Sequence, residues 1–412
     1  MYEDIRKEKL ELLKGTKCVI QADGWKNSVT NTKLLVFSLT NMRSPHLFLT
    51  CRNVSSEREF GVNLAAHFND AIQLAKDLYD ADVVASITDN DSKICLGCEL
   101  ARTTNGKPLM RSTCGSHSGN CLIKSMYKND PRLEVINKVV AAYKDPKVEA
   151  HLRRNNGSAL KNYPDTRFCY LRDTCESIKK NLPIMRMLTE IEECQISPNI
   201  CDSVNGVEFE NSVNEIYKNI SPICILINTC QDPKKNIADA AELWLKLELP
   251  TDRYDELIKN RIMKAIKPAG YAANFLHHKY KGLRLDERQI EVAEQFFYDY
   301  MDETGIQELE DFIANRDSYE TRAKNIDDPV SFWILLEEKY KTLSEFALSL
   351  FIMPASSADI EGLFSQWTYV HNKHRNRLST ITSAQLVEIY SYLTHTVPSF
   401  RKKPKRSHLP WT

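Results

Sequence analysis

The chain has 412 residues, with 55 Lys plus Arg against 55 Asp plus Glu, so it is long enough for two or three domains but carries no overall basic field. Any nucleic-acid surface must therefore be assembled from local patches. Its twelve cysteines all fall between Cys18 and Cys230 without the spacing of a small disulfide scaffold, which points to a reducing, intracellular setting; the longest apolar runs, such as Ile223 to Ile227, are far below the ~20 residues of a bilayer-crossing helix.

Met1 to Gly15 reads as a short charged helix, and Cys18 to Ala22, Leu34 to Leu39 and Leu47 to Cys51 as three short strands joined by polar turns, a β-meander. From Phe60 to Tyr79 the spacing of Leu64, Phe68, Ile72, Ala75 and Tyr79 predicts a helix, and Val83 to Thr88 is a partly β-branched apolar run typical of a buried strand. Strand, helix, strand in that order implies a parallel crossover. A helix over Ser92 to Arg102, a loop at Asn105 to Pro108, a strand near Leu109 to Thr113 and a helix over Ser118 to Tyr127 follow. Residues 1–130 thus read as an α/β segment of order β-β-β-α-β-α-β-α.

From Pro131 to about Tyr340 helical periodicity takes over, as in Leu133, Ile136, Val140 and Tyr143, or Phe209, Val213, Ile216, Tyr217 and Ile220. Stretches at Asn155 to Asp165, Ser197 to Val207 and Leu249 to Asp252 divide this block into sub-bundles. The last part holds helices expected over Val330 to Phe351, around Glu361, and over Ser383 to Leu393. In the third of these Leu386, Val387, Ile389, Tyr390 and Leu393 form a broad apolar face suited to packing or to a partner subunit. The tail Arg401 to Arg406, RKKPKR, reads as a nuclear-import signal, a phosphate contact or a solvated end.

Three acids stand out against this framework. Asp23 closes the first strand, with Trp25 on the same side by the period of two, and Asp89 sits at the carboxyl end of the buried strand, where open α/β sheets gather ligands. The third lies in a helix that opens with a capping-box pattern, Ser356 and Asp359, and carries an apolar stripe of Ile360, Leu363, Phe364, Trp367 and Val370. Glu361 falls outside that stripe. Each acid alone is an ordinary turn, cap or surface residue; together they suit Mg²⁺ or Mn²⁺, which take carboxylate oxygens plus substrate phosphates. A second pattern, Cys95-x2-Cys98 followed by Cys114-x2-His117, has the arithmetic of a zinc site but puts Cys95 and Cys98 on a helix, where buried apolar thiols are the simpler account. The chain has no Gly-rich phosphate loop, G-x-S-x-G elbow or His-x-x-x-His pair.

In sequence order these pieces resemble the catalytic region of hAT-family transposases, including its C-terminal dimerisation region, over nearly the whole chain. The carriers are Asp23-Gly24-Trp25, Thr88-Asp89-Asn90, Cys114-x-x-His117-x-x-Asn120, Ser356-Ser357 leading to Glu361 and Phe364-Ser365, and Lys373 with Arg375-Asn376-Arg377-Leu378; Thr166-Arg167-Phe168 is similar to the family's Thr-Arg-Trp element. The resemblance implies a ribonuclease-H-like mixed-sheet core at 1–130, a large helical insertion at 131–328, a C-terminal part of the core with the dimerisation region at 329–400, and a basic tail at 401–412. It further implies cut-and-paste chemistry on DNA in the nucleus by a homodimer or higher homo-oligomer, with Asp23, Asp89 and Glu361 binding Mg²⁺. Trp25, His117, Arg167, Phe168, Lys373, Arg375 and Arg377 would then be the DNA contacts, and Cys114 would support His117. The departures are Gly362 where the family has Arg after its Glu, Phe168 in place of Trp, and no BED-type zinc finger ahead of the first strand. The alternative that the residues leave open is a domesticated or truncated relative without catalysis, a dimerising scaffold for DNA or protein.

Overall fold

The computed structural model describes residues 2–26, 31–44, 46–57, 61–162, 168–370 and 378–396. The chain opens with α1 (Tyr2–Leu13), β1 (Lys17–Lys26), β2 (Lys33–Thr40) and β3 (Leu47–Asn53), followed by α2 (Gly61–Tyr79), β4 (Asp82–Thr88), α3 (Ser92–Leu100) and β5 (Met110–Thr113). This is the order that the hydrophobic pattern predicts. Helices then follow without further strands among the described residues: α4 (Gly115–Met126), α5 (Pro131–Tyr143), α6 (Pro146–Arg154), α7 (Tyr170–Leu188), α8 (Pro198–Asn205), α9 (Val207–Cys230), α10 (Ile237–Leu245) and α11 (Asp255–Ala265). The remainder comprises α12 (Pro268–Leu276), α13 (Glu287–Tyr300), α14 (Glu303–Ala323), α15 (Pro329–Leu336), α16 (Lys341–Phe351), α17 (Ala358–Val370) and α18 (Thr380–Thr396). Contacts divide the chain into two units, one of Met1–Cys114, Pro233–Ala241 and Ile266–Thr412, the other of Gly115–Asp232 and Glu242–Ala265.

The first unit is built on a five-stranded mixed sheet in the order β3-β2-β1-β4-β5. β1 runs antiparallel to β2, and β2 to β3, as the meander requires, whereas β1 with β4 and β4 with β5 are parallel. Side chains alternate across the pleat, and both faces are covered. On one face Cys18, Ile20, Ala22, Leu35, Phe37 and Leu39 pack against Leu64, Phe68, Ile72 and Ala75, the stripe that predicts α2. Phe37 and Phe68 meet edge to face at 5.2 Å. On the other face Leu34, Val36 and Phe48 pack against Ile360, Leu363, Trp367 and Val370 of α17 and Val387 of α18. Gly15, at φ +65°, lets the chain leave α1 and donate its amide to Asp80 O at 3.0 Å, a left-handed conformation that suits glycine.

Two expected elements differ. The helix expected over Val330 to Phe351 is broken into α15 and α16, and α14 takes up a backbone amide of the first turn of α16. Tyr340 at the break leaves the helical region (φ −125°, ψ 69°) and donates its hydroxyl to Asp311 Oδ2 at 2.7 Å, while the Leu343 amide donates to Glu308 Oε2 at 2.7 Å. The divider expected at Ser197 to Val207 holds a short helix, α8, started by Pro198 and ended at Gly206, from which α9 begins at once.

The second unit is helical. Cys175, Ile178, Leu182 and Met185 of α7 are buried, as are Val213, Ile216, Ile220 and Ile223 of α9, and α5 is fixed by Tyr143 Oη donating to Met185 O at 2.6 Å.

Candidate active site at the strand ends

β4 and β5 end level with the last residue of β1 that pairs with β4; β1 itself runs on to Lys26 against β2, so Asp23 lies inside that strand rather than closing it as expected. Ala22 pairs with Thr88, and Thr88 with Thr113, so the next residue on each strand, Asp23, Asp89 and Cys114, stands in one row on strands about 4.8 Å apart. The Cys114 amide continues the ladder by donating to Thr88 O at 2.9 Å. Which face the row occupies follows from the pleat. Asp23 pairs with Val36 and Trp25 with Leu34, and Val36 and Leu34 lie on the side covered by α17. Both aspartates are half-buried, and Asp23 Oδ1 accepts from the Gly24 amide at 2.7 Å. Trp25 is half-buried too, its ring 6.2 Å from that of Trp367.

Glu361 comes to the same side of the sheet on α17. The buried residues of that helix are Ile360, Leu363, Trp367 and Val370, the stripe read from the sequence, and Glu361 is exposed beside it. The start of the helix is pinned twice. Ser356 Oγ accepts from the Ala358 amide at 3.0 Å, while the Cys114 thiol accepts from the Ser357 amide at 3.4 Å and lies 3.2 Å from Ser356 Oγ. On the other flank Ala355 N donates to Lys235 O and Ile237 N to Met353 O, each at 3.0 Å. A side chain at Gly362 would meet nothing within 4 Å, so the site has room for the arginine that this position lacks.

The three acids share a side of the sheet without closing into a cage: among the described residues no three His, Cys, Asp or Glu side chains are grouped so as to hold a metal ion. The same holds for the cysteine pattern. Burial pushes the Cys98 thiol up to about 12 and raises Cys95 as well. His117 lies half-buried on α4 and Phe168 half-buried in the turn before α7, both in the second unit. Arg167, Lys373, Arg375 and Arg377 lie outside the described residues, as does the tail from Arg401 to Arg406.

Sequence reasoning missed two supports of the site. Cys114 was expected to support His117, and the bracing of Ser356 and Ser357 by its thiol was not foreseen; its place directly after a strand was the available signal. The 235–237 segment beside residues 353–355 had none, since one isolated bridge, Asn236 with Pro354, leaves no periodic pattern.

Residues 307–393 match the hAT family C-terminal dimerisation region, a stretch that runs from α14 through α17 into α18 and includes Glu361. No curated protein matches the chain. The match over residues 307–393 supports a hAT transposase-like, dimerising protein.

Proposed function

We propose that this protein cleaves and transfers DNA strands in the manner of a hAT transposase, on a ribonuclease-H-like core, with Asp23, Asp89 and Glu361 as its working acids. The observation that carries the reading is the strand register, which sets Asp23 and Asp89 side by side where the pairing of β1 with β4 stops, on the face to which α17 brings Glu361. A mixed sheet with helices on both faces supports the core assignment. The donor set fits Mg²⁺ or Mn²⁺, since paired carboxylates offer the hard oxygens these ions take and leave positions for water and phosphate. Once bound, such an ion supplies stabilisation of charge on the attacking and leaving oxygens of a phosphodiester.

The chain's own groups do the positioning. Asp23, Asp89 and Glu361 would hold such an ion, Asp23 and Asp89 from neighbouring strands and Glu361 from α17 on the same face of the sheet. Water attacks the phosphodiester at a transposon end and a 3′-hydroxyl departs; that hydroxyl then attacks target DNA, so each bond formed replaces one broken. Trp25 and Phe168 offer rings for an unpaired base, a sequence-tolerant contact worth ~1–3 kcal/mol, and His117, Arg167, Lys373, Arg375 and Arg377 meet phosphates. The nucleus is the matching compartment, with the basic run Arg401 to Arg406 as its import signal.

A second reading is a dimerising scaffold without catalysis, favoured by the acids' standing apart rather than in a closed group. Nicking of supercoiled plasmid in Mg²⁺ or Mn²⁺ separates the two. The catalytic reading expects Asp89→Asn and Glu361→Ala to lose about 10²-fold or more of the wild-type rate. Equal nicking by all three proteins, or none by the wild type, leaves the scaffold.

A further inference from the structure

Two cysteines of the second unit meet between α7 and α9. Cys169 stands at the start of α7 with its backbone in the left-handed region, φ +61° and ψ 3°, where residues other than glycine are uncommon, and its side chain caps no amide of the helix. The thiol points to α9 instead. Cys169 Sγ lies 3.8 Å from Cys224 O and 3.8 Å from Asn228 Oδ1, one turn further along that helix, and the two thiols hydrogen-bond to each other. Cys224 is fully buried, whereas Cys169 keeps 8% of its surface open to solvent. Their chemistry is unequal as well. The hydrogen bond from Cys224, helped by the nearby Arg172 guanidinium, holds the Cys169 pKa below that of an ordinary thiol in spite of burial, and the same hydrogen bond together with burial raises that of Cys224. Cys175, also on α7, is pushed up to about 12 by burial.

We propose that Cys169 and Cys224 are a site of oxidation by hydrogen peroxide, Cys169 being the thiol oxidised first and Cys224 the one that closes a disulfide onto it. A reactive thiolate with a little exposure beside a buried, protonated neighbour is the arrangement such a reaction needs. The Cys169 thiolate attacks one oxygen of the peroxide, the O–O bond breaks, and the departing hydroxide takes up a proton to leave as water; Cys169 is then a sulfenic acid. The Cys224 sulfur next bonds to the Cys169 sulfur as the S–O bond breaks, and the Cys224 proton leaves with the hydroxyl as a second water. Two thiols and one peroxide thus yield one disulfide and two waters. The bond ties the start of α7, directly after Phe168, to α9 across a separation of 55 residues, and by restricting the unfolded chain it makes the oxidised second unit harder to unfold. The assignment does not depend on strand cleavage.

The full chain, freed of reductant, is treated with hydrogen peroxide, blocked with N-ethylmaleimide in denaturant and mapped by mass spectrometry. A disulfide between Cys169 and Cys224 is expected, with Cys169 consumed about tenfold or more faster than Cys175. In Cys224→Ser the reaction should halt at a sulfenic acid on Cys169 that dimedone traps, and in Cys169→Ser the thiol of Cys224 should stay reduced, circular dichroism confirming that each variant is folded. Urea denaturation should place the midpoint of oxidised wild type above that of the reduced protein. The wild-type map decides by itself should a variant not fold: both thiols still open to maleimide after peroxide, or either one paired with a different cysteine, overturns the assignment. Oxidation of Cys224 in folded Cys169→Ser, or equal urea midpoints for the disulfide and dithiol forms, would overturn it as well.

Discussion

Cys114 and Glu361 never need to touch for one to place the other. The thiol takes the Ser357 amide and thereby references the first turn of α17 to the end of β5, across a separation of 243 residues. That distance is why its role was illegible: the period of two sets Asp23 beside Trp25 and a strand run sets Asp89 at its end, whereas no local pattern names a partner so remote. His277 is a different case of a residue governed by tertiary surroundings. Burial holds its pKa down to about 3 against an ordinary 6.5, with His278 adding to the effect, and its Nδ1 accepts from the Lys279 amide at 3.1 Å while its ring stacks on Tyr280 at 3.9 Å. The imidazole is therefore neutral in the fold. Above pH 6.5 the unfolded chain is neutral there too and the residue gives no pH dependence. Between 6.5 and about 3 the unfolded chain takes up a proton that the folded one refuses, so stability falls by up to about 1.4 kcal/mol per pH unit. Urea denaturation of wild type and His277→Gln across that range is expected to show a shallower pH slope in the variant; parallel curves would remove this account.

At the level of elements, α1 and α18 are joined by one buried ion pair. Lys9 and Glu388 are each about 5% exposed, and burial lowers the Lys9 pKa even with the carboxylate beside it. A hint stood in the sequence, since Ile5, Lys9 and Leu13 recur at i, i+4 and i+8 and all three are buried. Lys9→Met alone leaves Glu388 buried without its ammonium partner and is expected to cost ~3–5 kcal/mol in chemical denaturation, whereas Lys9→Met/Glu388→Leu recovers most of that loss. A double variant no more stable than the single would show that the pair contributes more than mutual neutralisation. The break between α15 and α16 marks the limit of element-level reading. The buried positions Trp333, Leu336, Tyr340 and Leu343 keep helical spacing across the break, while Glu308 of α14 takes the Leu343 amide and Asp311 the Tyr340 hydroxyl, contacts that no local pattern announces.

For the whole molecule, the order of the strands and their crossovers was legible because each strand is a short apolar run bounded by polar turns and each covering helix carries its own stripe. What the pattern did not give is how far the closing residues are drawn from the end of the chain. Contacts divide the chain into two units, and calorimetry is expected to resolve more than one unfolding transition, with Trp367→Ala, a fully buried residue of the first unit, lowering one of them by ~3–5 kcal/mol and leaving the other in place. A single transition shifted as a whole would mean one cooperative body. The two-faced sheet has a further consequence during synthesis. Leu34, Val36 and Phe48 leave the ribosome early, and α17, which covers them, emerges about 300 residues later; at 5–20 residues per second that is roughly 15–60 s. Throughout that interval the nascent chain carries an uncovered apolar sheet face, so the same packing that brings Glu361 to the strand ends makes the growing polypeptide a client for chaperones and makes early-terminated products prone to aggregate.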